Sequence, residues 1–195
     1  MLRPLRAIAL VVLGVFAVAA VPAYAALAQA KPAQAKAAQQ KAADAPSRQQ
    51  LLTAAREIMI ATRYGTMVTN GPGGTPQARI VDAFGPDTSL TVWIATNAQT
   101  RKVAELKKDP RVTLLYFSPV NFEYVTIQGR ATFSTDAKDR ETHWKRDWSA
   151  LYQNEWRGSD YLLIKVKPSR VEVVSTRRGI NTDPVTWRPA SVELP

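Results

Sequence analysis

The sequence predicts a mainly β domain, an antiparallel barrel with one helix before it and short helices between its strands. Short apolar stretches typical of strands recur between turns rich in Gly, Pro and Asp, and helical periodicity is confined to short segments. Neither a repeat nor a Pro-rich boundary divides residues 51–175. Few helices among antiparallel strands favour a barrel, so we expect one domain over residues 47–175.

The first predicted elements are a helix and a hairpin. Ser47 can cap a helix that runs to about Thr62, because apolar residues follow it at helical spacing. Residues 65–70 predict a strand, residues 71–74 a glycine-rich turn, and residues 75–84 the returning strand.

The middle of the domain predicts strands on either side of a short basic helix. After a turn at residues 85–87, a strand is expected over 90–97, and the helix begins at Thr100. We expect Glu105 to pair with Lys108 on its surface. The next strands are predicted over residues 112–117 and 123–133.

The last part predicts a helix, two strands and a tail. Residues 136–152 have helical spacing, which puts Trp144, Trp148 and Leu151 on one face. We expect the tail, residues 176–195, to have no strand partner. The closing strands are predicted over residues 161–167 and 170–175.

The amino terminus has the pattern of a secretory signal peptide. Arg3 and Arg6 precede an apolar run over residues 7–21, and an A-x-A site follows at residues 23–25. We therefore expect a signal peptide over residues 1–25, export to the periplasm or beyond, and no stable membrane span after cleavage. The alternative is an uncleaved membrane anchor.

Residues 26–46 are almost entirely Ala, Gln, Lys and Pro, which predicts a solvated spacer. The chain contains no cysteine, so disulfides, thiolate metal sites, a lipoprotein anchor and a cysteine nucleophile are excluded. Its formal charge of +10 would attract anionic surfaces. Because no nucleic-acid module is recognisable, we expect no nucleic-acid partner.

Metal and hydrolase chemistry have little support in the sequence. His143 is the only histidine, and a three-ligand zinc site would need carboxylates for its other ligands. No G-x-S-x-G motif is present for a serine hydrolase. We expect no metal site, and we expect His143 to be a packing or surface residue.

The most informative pattern is a basic helix start directly after a strand. Thr100, Arg101 and Lys102 occupy the first turn, where unpaired backbone N–H groups and the positive end of the helix dipole favour an anion. Arg79, on a predicted strand, adds a guanidinium that suits phosphate. The sequence therefore predicts a phosphate site.

Five short motifs stand in order at residues 79–81, 93–97, 100–102 and 109–112 and at Gly129. Together they resemble the FMN-binding core of the pyridoxamine 5'-phosphate oxidase-like split β-barrel family, over residues 51–175. The resemblance implies a split β-barrel, FMN as cofactor, a homodimer with FMN at each subunit interface, and a flavin-dependent oxidoreductase that needs no protein acid or base. The substrate and any catalytic residues stay unknown.

The resemblance also assigns site residues. Arg79, Arg101 and Lys102 would bind the phosphate, Thr96 and Thr100 would offer hydroxyls, and the backbone of residues 80–82 would border the ring. The alternatives are an Arg79 that pairs with Asp82 or Glu123, and a Lys102 on a solvated helix face. Trp187 and Arg188 would lie over the partner's flavin, or Trp187 would pack the tail onto the barrel. The full set of flavin contacts is Arg79, Ile80, Val81, Asp82, Ala95, Thr96, Thr100, Arg101, Lys102 and Tyr124.

Departures from the oxidase pattern argue against vitamin B6 phosphate as substrate. Phe84 stands where the oxidase has a lysine that meets cofactor and substrate, Tyr124 stands at a flavin-contacting glutamine, and the C-terminal Arg-x-His motif is absent. The chain is more similar to the general-stress-protein branch. The alternative is a non-enzymatic envelope protein that binds flavin or another ligand such as haem, and a deazaflavin reader is a third option.

Overall fold

The structure is a computed structural model and describes residues 45–195. The predicted signal peptide and residues 26–44 of the predicted spacer lie outside the described residues. The elements are, in chain order, helix α1 (Arg48–Thr62), strands β1 (Tyr64–Asn70), β2 (Pro76–Asp82) and β3 (Val92–Asn97), helix α2 (Arg101–Lys108), strands β4 (Arg111–Ser118) and β5 (Glu123–Ser134), helix α3 (Ala137–Thr142), and strands β6 (Tyr161–Val174) and β7 (Ala190–Glu193).

The strands form one antiparallel sheet in the order β2-β1-β4-β5-β6-β3, and β7 pairs with β6. The sheet curls until its two edges approach each other, because Ala83, just after β2, bridges Ile94 of β3. The backbone N–H of Phe84 also donates to the carbonyl of Trp93 at 2.9 Å. This partial closure is a split β-barrel, which confirms the predicted fold class.

Helix α1 packs its apolar face on the interior of the barrel. Ser47 accepts a hydrogen bond from the N–H of Gln50, whose side chain accepts one from the N–H of Ser47 in return. This capping box confirms the predicted helix start. Ala55 and Ile58 are fully buried against inward residues of the strands, such as Leu114, so burial of apolar area holds the helix in place.

Strand β6 is continuous, so the prediction of two closing strands was wrong. It passes through Pro168, where the pairing with β5 shifts register between Gln128 and Gly129. The bulge accommodates the proline, which has no N–H to donate to the ladder. Gly129 is required there, because a Cβ at this position would overlap the backbone carbonyl oxygen of Lys167.

The prediction of a helix over residues 136–152 is also wrong after residue 142. Helix α3 ends at Thr142, and two short 3-10 turns follow. Trp144 and Trp148 pack edge-to-face with each other. Trp144 also packs on Tyr152 and Tyr161. This aromatic cluster, formed with β6, overrides the helical spacing.

The tail has a strand partner, contrary to the prediction. Strand β7 pairs with residues 170–173 of β6, and Ile180 and Val192 are buried in the core. The tail is therefore part of the folded domain.

Candidate functional site

A cavity of about 220 Å³ lies where β2, β3 and the start of α2 meet. Five of the predicted site residues line it, from three different elements. The remaining wall comes from the segment between α3 and β6. The lining residues are Ile80, Val81, Asp82, Ala95, Lys102, Trp148, Leu151 and Tyr152.

Three polar side chains converge at the start of α2. The hydroxyls of Thr96 and Thr100 lie 3.2 Å apart, and the Lys102 ammonium donates to the Thr100 hydroxyl at 3.3 Å. The Thr100 side chain makes no capping bond to the helix. The N–H of Val103 donates to the Thr100 carbonyl at 3.0 Å, so the N–H groups before it, of Arg101 and Lys102, are the ones that can serve an external acceptor. Partial burial lowers the pKa of Lys102, and repulsion from Arg79 adds to this effect. The group can hold an anion.

Arg79 is half-buried and is already hydrogen-bonded, but to neither Asp82 nor Glu123, the two partners that the sequence suggested. Its guanidinium donates to the hydroxyl of Thr69 and to Oε2 of Glu105, the latter at 2.6 Å. Glu105 is buried on α2 and also accepts from Thr69 at 2.5 Å. The expected pairing of Glu105 with Lys108 is therefore wrong, because a buried carboxylate on the inner face of α2 meets β1 and β2 instead.

Arg101 and Lys102 border different cavities, although they are adjacent in sequence. Lys102 lines the 220 Å³ cavity. Arg101 lines a second cavity of about 580 Å³ between α2 and the glycine-rich turn of residues 71–74. The Nε atom of Arg101 lies 3.0 Å from Oε1 of Glu105. Within one chain, Arg101 therefore does not line the same cavity as Lys102.

Tyr124 lies on β5, far along the sheet from Ala95. Ala95 pairs with Leu163 of β6, whereas Tyr124 pairs with Val174. These β6 positions are eleven residues apart, which is about 35 Å along a strand. Tyr124 is therefore not beside Ala95 in the sheet, and it does not line the 220 Å³ cavity.

The sequence-based analysis missed Lys145, which lies beside the cavity. Its ammonium is 2.9 Å from Oδ1 of Asp82 and lies over the rings of Phe84 and Trp148, at 4.8 and 4.7 Å from their centroids. Asp82 also accepts from Arg63, which is the main reason that its pKa is lowered. The only signal in the sequence was that Lys145 follows Trp144. That position alone does not indicate that Lys145 pairs with Asp82 in the folded chain.

His143 is a packing residue at this site. Its ring stacks on Trp93 at 4.4 Å between centroids and meets the edge of Phe84 at 5.0 Å. Its Nδ1 lies 2.8 Å from the carbonyl of Asp139 and donates to it, which leaves Nε2 as the free nitrogen. Over residues 45–195, no group of three or more His, Asp or Glu side chains is placed to hold a metal ion.

Trp187 and Arg188 are both exposed, so the alternative in which Trp187 packs the tail onto its own barrel is wrong. Trp187 is 77% exposed. Its backbone is nevertheless fixed, because its N–H donates to the carbonyl of Asp183 at 2.8 Å. Among the described helices, none is both long enough and apolar enough to cross a bilayer.

A family model described as pyridoxamine 5'-phosphate oxidase matches residues 51–175, which is more than half of the chain. The chain belongs to this family. The match begins in α1 and ends directly after β6, so it covers every element that lines the 220 Å³ cavity. No curated protein sequence matched.

Solved structures of similar fold include two general stress proteins. A Clostridium acetobutylicum protein related to general stress protein 26 is 18% identical, with a TM-score of 0.63 over 76% of this chain and 97% of the other. General stress protein 26 from Bacillus anthracis is 19% identical, with a TM-score of 0.60 over 74% and 98%. A heme binding protein from Mycobacterium smegmatis is 20% identical, with a TM-score of 0.56 over 76% and 58%. At these identities the likeness shows the fold alone.

Proposed function

We propose that this member of the pyridoxamine 5'-phosphate oxidase family binds FMN and is a flavin-dependent oxidoreductase. The observation that carries the proposal is the convergence of Thr96, Thr100 and Lys102 beside the cavity lined by residues 80–82. Two hydroxyls, an ammonium and the helix start provide donors for a phosphate. FMN supplies redox chemistry when bound, and the chain's share is to hold the phosphate and border the ring.

The residues around the 220 Å³ cavity can hold the phosphate of FMN, but the cavity is too small for the whole cofactor. The cavity of about 220 Å³ is smaller than the roughly 300–1,000 Å³ typical of small-molecule sites. The segment with Trp148 and Tyr152 forms one of its walls. One chain therefore offers part of a flavin site, which supports a site shared between two subunits.

We propose a homodimer that joins the outer face of β2, β1 and β4. Ile80, Thr66 and Leu115 lie side by side across these strands, and both Ile80 and Leu115 are exposed. Such an apolar sheet face is an interaction surface in a protein that is otherwise strongly charged. The dimer would bring the Tyr124, Trp187 and Arg188 of the second subunit within reach of the site.

We also propose that the chain is exported to the periplasm or beyond, with a mature protein that begins close to Ala26. The support is the pattern of Arg3 and Arg6, the apolar run and the A-x-A site. Intact-mass measurement after expression with a working secretion system tests this. A full-length product that stays in the membrane would contradict export.

The cofactor proposal is tested by titrating FMN and riboflavin, because riboflavin has the ring but not the phosphate. A charge-assisted hydrogen bond contributes about 1.5–3 kcal/mol, so Lys102→Ala should weaken FMN by about ten- to a hundredfold and riboflavin much less. Arg79→Ala should act in the same direction. Lys107→Ala is the matched control, since Lys107 is exposed on the same helix. Equal losses for both ligands would mean that Lys102 supports the fold and not the phosphate.

A second candidate is haem, in a non-enzymatic envelope protein. It is favoured by the fold shared with the mycobacterial heme binding protein. It is also favoured by the hydrogen bond from Arg79 to Glu105, because Arg79 is then not free to bind a phosphate with all its donors. His143 would be the residue to hold the haem iron, through its free Nε2. Titration with hemin tests this candidate, and His143→Ala should abolish the binding.

A further inference from the structure

The buried carboxylate of Glu105 contacts two of the cations assigned to the phosphate, Arg79 and Arg101. It accepts from Thr69 at 2.5 Å and from Arg79 at 2.6 Å through the same oxygen, Oε2. The other oxygen, Oε1, faces Arg101 at 3.0 Å, without the geometry of a hydrogen bond. Two of the three cations assigned to the phosphate are therefore in contact with an internal anion.

Glu105 also acts on the third cation, Lys102. The pKa of Lys102 is lowered by burial and by repulsion from Arg79, while attraction to Glu105 opposes both. These groups are thus close enough to influence each other's charge. One buried negative charge offsets one of the three positive charges, and it would repel an incoming phosphate at the short range where charges interact most strongly.

Both arginines keep donors for an external ligand. Arginine has five N–H donors, and Arg79 uses its two terminal nitrogens for Thr69 and Glu105. Its Nε edge makes no described bond. The side chain of Arg101 is 67% exposed, so it can turn to an external anion without an unfolding step. The cations can bind a phosphate while Glu105 stays in place, but more weakly than if it were neutral.

We propose that Glu105 is a specificity-determining residue. Its buried negative charge limits how tightly Arg79 and Lys102 bind a phosphate group. The inference rests on the proposed function for placing a phosphate ligand at this cluster. It explains why a set of three basic residues need not make a tight phosphate site. Ligands that bind mainly through an uncharged ring are then favoured over those held by phosphate alone.

The test is Glu105→Gln, titrated calorimetrically with inorganic phosphate, FMN and riboflavin. Glutamine keeps a carbonyl oxygen that can accept from Thr69 and Arg79, so the substitution removes the charge and retains the acceptor. We expect phosphate and FMN to bind about tenfold more tightly, with riboflavin unchanged. Glu57→Gln is the control, because it removes the same charge from a glutamate paired with Arg178 elsewhere.

Unchanged or weaker phosphate binding by Glu105→Gln, or no phosphate binding by either protein, overturns the proposal. If Glu105→Gln fails to fold by circular dichroism, Glu105→Met removes the same charge with a side chain of similar length, and the same criteria apply. Tighter phosphate binding with no flavin binding by any protein would leave the role of Glu105 standing and overturn the proposed flavin function.

Discussion

Glu105 and Glu123 are the two buried carboxylates among the described residues. Hydrogen bonds from Arg177 are the main reason that the pKa of Glu123 is lowered, and Ser175 adds a bond at 2.7 Å. For Glu105, burial alone would raise the pKa, but the bonds from Thr69 and Arg79 outweigh it and lower the pKa. Both groups are therefore more acidic in the folded protein, and their ionised forms stabilise it.

We expect Glu123→Gln to reduce the free energy of unfolding by about 1–3 kcal/mol at pH 7, because it weakens charge-assisted bonds that link β5 to the turn after β6. A lowered pKa stabilises the fold above the unfolded value of about 4.3, and this stabilisation is lost as pH falls through the folded pKa. The difference from wild type should therefore shrink at about pH 3. Urea unfolding at both pH values measures it.

The exposed pair of Glu155 and Arg157 provides the comparison for Glu123. Glu155→Gln should change stability by less than about 0.5 kcal/mol, because an exposed ion pair contributes little. If Glu123→Gln were as mild at pH 7, or its effect did not depend on pH, the buried charge would not stabilise the fold as argued.

For single residues, the sequence predicts which cations lie near the site better than it predicts which residues they pair with. Lys102 could be found because the start of a helix is a local signal, and it does line the cavity. The partner of Glu105 could not be found, because Arg79 is 26 positions away in sequence. Spacing within a helix indicated Lys108, whereas burial against β1 and β2 decides the contact.

The elements follow the same division between local and long-range signals. Helix α1 and the hairpin of β1 and β2 lie close to their predicted bounds because caps and glycines are local. The segment after α3 was predicted as helix from its spacing, but Trp144 and Trp148 pack on Tyr161 of β6. That contact depends on the fold and forms the outer wall of the candidate site.

The bulge of β5 and β6 gives a prediction at the scale of the element. Gly129→Ala should destabilise the protein by about 1–3 kcal/mol or more, because a methyl group there would overlap the carbonyl of Lys167. Gly85→Ala is the matched control, since a Cβ there would meet only Ile60, at 3.7 Å. Thermal unfolding of both variants measures this.

Equal midpoints for Gly129→Ala and Gly85→Ala would show that the two strands can separate at the bulge without cost. The close approach of the β5 and β6 backbones would then not be needed for the continuous β6. A loss confined to Gly129→Ala supports the bulge as the feature that lets Pro168 remain inside a strand.

At the scale of the whole molecule, the exposed Ile80 and Leu115 on the outer face of the sheet support the proposed dimer. Leu115→Glu should convert the proposed dimer into a monomer and weaken FMN binding, because the charge would be buried between subunits. Ile60→Glu is the control, because Ile60 is a more exposed apolar residue on α1. Sedimentation velocity at several concentrations measures the state of each.

A wild-type monomer at micromolar concentration, or a Leu115→Glu protein that is still dimeric, would exclude this face as the subunit interface. Deletion of residues 176–195 is a poor test of the dimer, because Ile180 and Val192 belong to the core of the same chain. Trp187→Ala removes only an exposed ring and tests the tail more cleanly.

The central claim, that the chain holds FMN, is tested most directly by the absorption spectrum of the protein purified after expression with a working secretion system, from the compartment to which we propose that it is exported. We predict flavin bands close to those of free FMN, which are released together with FMN when the protein is denatured. A Soret band would instead support the haem alternative. No chromophore, even after incubation with FMN, would contradict the claim and leave a split β-barrel without the proposed cofactor.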